Sequence, residues 1–483
     1  MRYLRNLLMS FSPRDLLFFS GYALYLVFSH MVLTSTTMLS SAGDIAFESQ
    51  TVFSIALLSS RLTLFLFVIC FRRYVKGLPF SITATLSGVF AVAGFLTIGR
   101  LLWFPSELPS DVFLSWLVCG GILLGLAAGL VILLWGRFSA TLALRDIYLY
   151  VVLCNILSLV IYSGVTFLLP ERAGLPFAAV LFVVSVVFVK KALDARTDWQ
   201  WEYSRPVFNH AIRNIGHPIL GTAILYFMSG LMLQISGQAE IPLHIFQRTA
   251  LFSSAVVVLL LFLPALFVKK PLNMGRIYAV ALSASAAGFL LLPLFWNEAG
   301  GIVNSFGQLG AMVAGIILWC LVADVAHDTK LSPVYLFAIT FACTDAADLA
   351  GTVIGFLNVD ILKPGDLHLP MVALVAVYLL LMVALFLFKD KSFNETEDEA
   401  ALLVQRAQPD ELLAQRCSEI AGTYRLTPRE GDVFVLLAQG FTVPVISDKL
   451  FVSENTVKSH VKSIYQKLSV RARSDLIELV NAK

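Results

Sequence analysis

Twelve stretches of about 20 mostly apolar residues recur along this chain, more than one soluble core can absorb. They fall at roughly 15–36, 51–71, 80–103, 112–135, 147–169, 175–190, 216–236, 248–268, 276–296, 302–324, 333–357 and 369–388. A helix of that length crosses the ~30 Å of bilayer hydrocarbon and satisfies its own backbone hydrogen bonds. Only 14% of the 483 residues are charged and 58% are hydrophobic, against about 25% charged in soluble domains. The spacing predicts an all-α chain whose residues 1–391 form a polytopic helical membrane bundle. Arg2, Arg5 and Arg14 precede the first run as in a signal peptide, but its length and its many successors make it a first span.

Charge placement tests the span count independently, because cytoplasmic loops are rich in Lys and Arg. With the N-terminus inside, the inner segments hold 19 Lys and Arg residues and the outer segments 4, namely Arg100, Arg172, Arg248 and Lys363. The outer loops carry Asp44, Glu48, Glu107, Asp111, Glu240 and Glu298 instead. An even number of spans returns the C-terminus to the cytoplasm, so both termini are expected on the inner face of a bacterial cytoplasmic membrane. The spans divide six and six around the polar connection at about 192–215. In that layout the region resembles the major facilitator superfamily, a resemblance resting on span count and charge alone. That family's loop between spans two and three carries a Gly-x-x-x-Asp-Arg-type gating motif. Here the loop reads Arg72-Arg73-Tyr74-Val75-Lys76-Gly77 without an acid, and its second-half counterpart keeps only Gly275-Arg276.

Polar groups inside spans face a bundle interior or a wet cavity. The candidates for a ligand or ion-pair site are Arg61, Asp345, Asp348, His30, Asn155 and Gln308, with Gln234 beside them. Asp345 and Asp348 share one helix face, three residues apart. An isolated charge at that depth costs at least ~2.5–3.5 kcal/mol, so pairing is expected. Two readings stand: a structural bridge from Arg61 to Asp345 or Asp348, and a ligand or proton site in the central cavity. Gly121, Gly125 and Gly129 form a small-residue stripe suited to close helix approach. No cysteine has metal-ligand spacing, no glycine-rich nucleotide loop is present and no nucleophile–base pair convinces, so neither catalysis nor a metal or cofactor is expected.

Composition changes abruptly after Lys391. Residues 392–422 hold seven acids against Arg406 and Arg416 and read as an acidic linker, tether or short amphipathic helix. Residues 423–483 then read as a compact four-helix domain. Thr427-Pro428-Arg429-Glu430 is a capping box with Pro at the first helical position, opening a helix that stops at Gly440. Thr442 caps a short second helix through Leu450, and Ser453 caps a third. Along the third, Val457, Val461, Ile464 and Leu468 form the buried stripe, while Asn455, Lys458, Ser459, Lys462 and Gln466 occupy other faces. A last helix runs over about 472–481. Two short helices with a tight turn, the second bearing cations outward, make a helix-turn-helix that fits a major groove about 12 Å wide. The nine basic and six acidic side chains of 424–483 suit that partner.

The runs Leu426-Thr427-Pro428-Arg429-Glu430, Leu437-Ala438-Gln439-Gly440, Ser453-Glu454-Asn455-Thr456-Val457-Lys458-Ser459-His460-Val461 and Ile464-Tyr465-Gln466-Lys467-Leu468 closely resemble the LuxR-type helix-turn-helix. The resemblance implies a DNA-binding set of Asn455, Thr456, Lys458, Ser459, Lys462 and Lys467. In it, Lys458, Ser459 and Lys462 stand at base-edge positions and Thr456 and Lys467 at phosphate positions. Glu430 stands where a structural acid ties down the first helix. Val443-Pro444-Val445 departs from the Asn-basic-Glu run usual in the scaffold helix. Twelve spans followed by this domain resemble bacterial membrane-bound LuxR-type regulators. The expected partners are double-stranded operator DNA, membrane lipid, an unknown small molecule and a second copy of the chain on DNA. A solute transporter with an appended regulatory domain is the alternative.

Overall fold

A helix that is apolar on every side cannot aim one stripe at a soluble core and leave the rest in water. The helices of the N-terminal region are of that kind. The computed structural model describes residues 13–34, 47–71, 79–103, 109–142, 144–168, 173–194, 205–237, 300–358, 411–438, 443–450 and 452–470, with isolated positions at 170, 251–290, 374–378, 441 and 475–480. All regular elements among them are helical. In chain order, α1 is Pro13–Ser29, continued by a π-helical turn at His30–Thr34; α2 is Phe47–Cys70 and α3 is Phe80–Trp103. Next come α4, Ser110–Ser139, α5, Leu144–Leu168, and α6, Gly174–Asp194. The second half contributes α7, Arg205–Gly237, α8, Gly300–Thr329, and α9, Pro333–Leu357.

Eight of these, α2 to α9, are long and apolar enough to cross a membrane. They carry large apolar side chains outward, with Leu168 84% and Leu357 74% exposed, a surface that lipid and not water tolerates. The chain is a multi-pass membrane protein. The expected spans at 248–268, 276–296 and 369–388 lie largely outside the described residues, so the figure of twelve rests on the sequence.

Glycines set how closely the helices cross. Gly121, Gly125 and Gly129 of α4 all face α2, where a Cβ on Gly125 would run into the Leu57 carbonyl and the Ser60 hydroxyl. A second seam joins α9 to α7: side chains at Gly351 and Gly355 would strike the Phe227 carbonyl and Gln234. Through these seams α9 lies against α7, α2 and α4, and α8 against α7 and α5. The two halves therefore meet along α2, α4 and α5 on one side and α7, α8 and α9 on the other.

The chain divides into two compact units, Met1–Asn394 and Glu395–Lys483. In the second unit α10, Glu411–Thr423, precedes α11, Pro428–Ala438, α12, Val443–Leu450, and α13, Glu454–Leu468. Cys417 and Ile420 of α10 join Val433, Phe434, Leu437, Ile446, Val457, Ile464 and Leu468 in one core. The end of the stretch read as linker is thus a helix packed into this unit. Leu476 and Val480, from the region expected to hold the last helix, are buried in the same core. Each such side chain contributes about 1.5–3 kcal/mol of transfer free energy on burial.

Candidate functional site

Helix α13 is defined at both ends by its sequence. Ser453 has the extended backbone of an N-cap, and its Oγ accepts from the Thr456 amide at 3.1 Å. Glu454 sits in the first turn and Lys467 in the last, as the helix dipole favours. Ser469 adopts a left-handed conformation, φ 57°, that closes the C-terminus. Val457, Ile464 and Leu468 are buried, whereas Asn455, Thr456, Lys458, Ser459, Lys462 and Gln466 are exposed. Among the described residues Lys458 pairs with Glu454, one turn back, at 3.5 Å, a solvated contact worth about 0.3–0.5 kcal/mol and easily exchanged for a stronger anion. The Thr456 hydroxyl shares a hydrogen bond with Ser453 at 2.8 Å.

One carboxylate fixes α13 on α11. Glu430 accepts from the Thr427 amide at 2.7 Å while its own amide donates to Thr427 Oγ1 at 3.3 Å, completing the capping box. The same carboxylate accepts from Ser463 Oγ at 2.5 Å and from Lys467 Nζ at 2.6 Å. Lys467 also reaches the carbonyl of Arg425, a left-handed residue after α10, at 3.5 Å. The Lys467 ammonium and the Ser463 hydroxyl, in that order, hold the Glu430 carboxyl down at about 2, below its ordinary 4.5. Arg429 donates to the Leu450 carbonyl at 2.8 Å and so satisfies an otherwise open group at the end of α12.

In the membrane unit Arg61 of α2 grips Asp345 of α9 with both prongs. Nε donates to Oδ2 and Nη2 to Oδ1, each at 2.6 Å, with side chains 8% and 2% exposed. Asp345 is thus the acid that pairs. Asp348, one turn along, makes no hydrogen bond or ion pair among the described residues, although it and Tyr25 lie within electrostatic reach of Arg61. Thr51 Oγ1 donates to Gln234 Oε1 at 3.1 Å, tying α2 to α7. Trp319 Nε1 to Ser139 Oγ and His327 Nδ1 to the Ala140 carbonyl, both 3.1 Å, tie α8 to the end of α4.

The polar C-terminal unit has sequence relatives. Residues 424–480 match the family described as bacterial regulatory proteins, luxR family. The spore germination protein GerE of Bacillus subtilis (strain 168) is 46% identical over 52 residues, 11% of this chain and 70% of GerE. The chain belongs to the LuxR family of bacterial regulatory proteins. The nitrate/nitrite response regulator protein NarL of Escherichia coli (strain K12) is 39% identical to this LuxR-family chain over 62 residues, which span 13% of the chain and 29% of NarL. The membrane unit has its likeness among solved structures. A bacterial homologue of the iron transporter ferroportin, in an outward-facing state, overlays with a TM-score of 0.53 at 14% identity. The overlay covers 78% of the LuxR-family chain and all of that protein. At that identity the likeness concerns the fold, that of a multi-helix transporter.

Within this LuxR-family protein the six membrane candidates do not form one cluster. Arg61, Asp345 and Asp348 come together. His30 stacks on Tyr162 with ring centroids 5.7 Å apart, and Asn155 Nδ2 donates to the Val151 carbonyl of its own helix at 2.8 Å. Gln308 is partly buried in α8. Sequence reasoning missed Ser463, Tyr25, Tyr226 and the Trp319–Ser139 tie. Ser463 carried a signal, since it falls on the same side of α13 as Lys467, four residues on. The others are ordinary residues of apolar helices and carried none.

Proposed function

We propose that this protein is a membrane-bound one-component transcriptional regulator. In this reading residues 1–391 sense a small molecule, residues 392–422 connect, and the helix-turn-helix of 423–483 binds operator DNA. The observation that carries it is the exposed row Asn455, Thr456, Lys458, Ser459 and Lys462 on a helix whose opposite face is buried and whose pitch is held by Glu430. Such a row presents donors to base edges and phosphates while the core keeps the helix oriented. The family resemblance and half-site geometry favour a homodimer on a palindromic operator. The excess of Lys and Arg on alternate loops favours a cytoplasmic membrane location with both termini inside. No catalysis is assigned. Ligand binding would act by favouring one of two arrangements of the bundle, with the buried Arg61–Asp345 bridge between the halves as the contact that such a change must accommodate.

The transporter-like fold favours a second reading, a solute transporter with an appended regulatory domain. One experiment separates the two. Transcripts are compared between wild type, a deletion strain and a Lys458→Ala/Lys462→Ala strain. If a set of genes changes alike in the last two, the regulator reading holds. Unchanged transcripts together with lost uptake of a solute would replace it with the transporter.

A further inference from the structure

We propose that Asp348 anchors a binding site for an organic monocation, an ammonium-like charge carried on an apolar body. The proposal rests on the sensor reading of the membrane region and names the ligand chemistry of that site. Arg61 and Asp345 cancel each other in a two-pronged bridge, so an ionised Asp348 would leave the bundle interior with a net negative charge. Unbalanced charge at bilayer depth is costly and calls for a counter-charge. Asp345 is 1% exposed, whereas Asp348 is only partly buried although it shares the inward face of α9 with buried Thr352 and Gly355. Part of Asp348 therefore stays accessible on the side of α9 that packs against Gly230 of α7.

The surroundings describe what fits there. Asp348 Oδ1 lies 2.8 Å from where a Cβ on Gly230 of α7 would be, and the Tyr226 hydroxyl 2.6 Å from the corresponding point at Gly315 of α8. Tyr226 is one turn before Gly230 on the same face of α7, which sets a ring beside the carboxylate. The missing side chains of Gly230 and Gly315 thus admit the acid against α7 and the phenol against α8, within electrostatic reach of each other, with Tyr25 near the Arg61–Asp345 edge. An aromatic face next to a carboxylate attracts a poorly hydrated organic cation through its quadrupole. A metal ion fits poorly: among the described residues no group of three or more His, Cys, Asp or Glu side chains could hold one. An anion fits poorly as well, because Arg61 is buried and already engaged.

The test uses two probes of the same shape and opposite charge, tetraphenylphosphonium and tetraphenylborate, on the purified full-length protein in detergent. The cation is expected to bind the wild type, at least ten-fold more weakly to Asp348→Asn, and within about three-fold of wild type to Asp348→Glu; tetraphenylborate is expected not to compete. Equal cation affinity in wild type and Asp348→Asn would overturn the proposal. So would competition by tetraphenylborate, or no cation binding between pH 6 and 9, which would leave a proton as the counter-charge. The regulator reading is tested separately by an operator–reporter assay. Asp348-dependent binding with a reporter that never responds keeps the site and removes the regulator. A reporter that responds without any Asp348-dependent cation binding does the opposite.

Discussion

Lys467 reaches from the last turn of α13 to Glu430 in the first turn of α11, Nζ to Oε2 at 2.6 Å, and Ser463 takes the other carboxylate oxygen. A lysine whose sequence position pointed outward to a phosphate is thus engaged inward. It sets the angle at which the exposed face of α13 is presented, and a phosphate would have to compete for it with Glu430.

Glu430→Gln keeps the shape of this contact and removes its charge. It is expected to cost about 1.5–3 kcal/mol, the usual worth of hydrogen bonds to a charged group, read as faster amide hydrogen exchange across 428–468 of the full-length protein. The carboxyl is depressed to about 2 from an ordinary 4.5, so its contribution is complete above pH 4.5 and is lost as pH falls toward 2. Wild type and Glu430→Gln should therefore converge in acid. A constant difference down to pH 2 would remove the carboxylate from the argument.

Lys458→Ala and Lys462→Ala are expected to abolish specific operator binding with membrane insertion intact. A base-edge contact costs about 1–3 kcal/mol when lost, and a phosphate contact lowers the salt slope by about 1. Titrations at several salt concentrations tell the two roles apart. Unchanged affinity in both variants would refute the assignment of α13 as the reading helix.

Arg61→Ala leaves Asp345 buried without its partner and is expected to cost about 3–5 kcal/mol. The paired change Arg61→Met with Asp345→Leu should recover most of that loss. The readout is the thermal transition of the detergent-solubilised protein. A single variant as stable as wild type would mean that the bridge does not hold the halves together.

Gly125→Ala places a Cβ against backbone of α2 that cannot swing aside, and overpacking of this kind costs about 1–3 kcal/mol. Gly88→Ala and Gly164→Ala meet nothing within 4 Å and serve as controls. Equal effects at all three positions would show that the seam tolerates separation.

The all-α membrane bundle and the helix-turn-helix were both readable from the sequence, because each writes its physics into local spacing. Apolar runs of fixed length disclose helices in lipid, and Ser453, Thr427 and Glu430 disclose helix ends whatever the rest of the chain does. The choice of Asp345 over Asp348 was not readable. The two acids share one face of one helix, and the choice depends on how α2 and α9 cross. The α7–α9 seam was equally hidden, since Gly351 and Gly355 are unremarkable until Phe227 and Gln234 are known to lie opposite. The folded α10 was legible only as one alternative, a short amphipathic helix beside a plain tether, because Cys417 and Ile420 pack against helices that come later in the chain.

The Glu430 clasp also fixes an order of events. Its donors, Ser463 and Lys467, lie 33 and 37 residues beyond the carboxylate they hold, and all three follow the membrane region in the chain. Synthesis runs from the N-terminus, and domains fold in that order. The spans are therefore made and available to the bilayer before the reading helix can be set at its working angle. On the regulator reading, the DNA-binding unit is thus tethered to the spans from the moment it folds, and would meet the genome at the membrane.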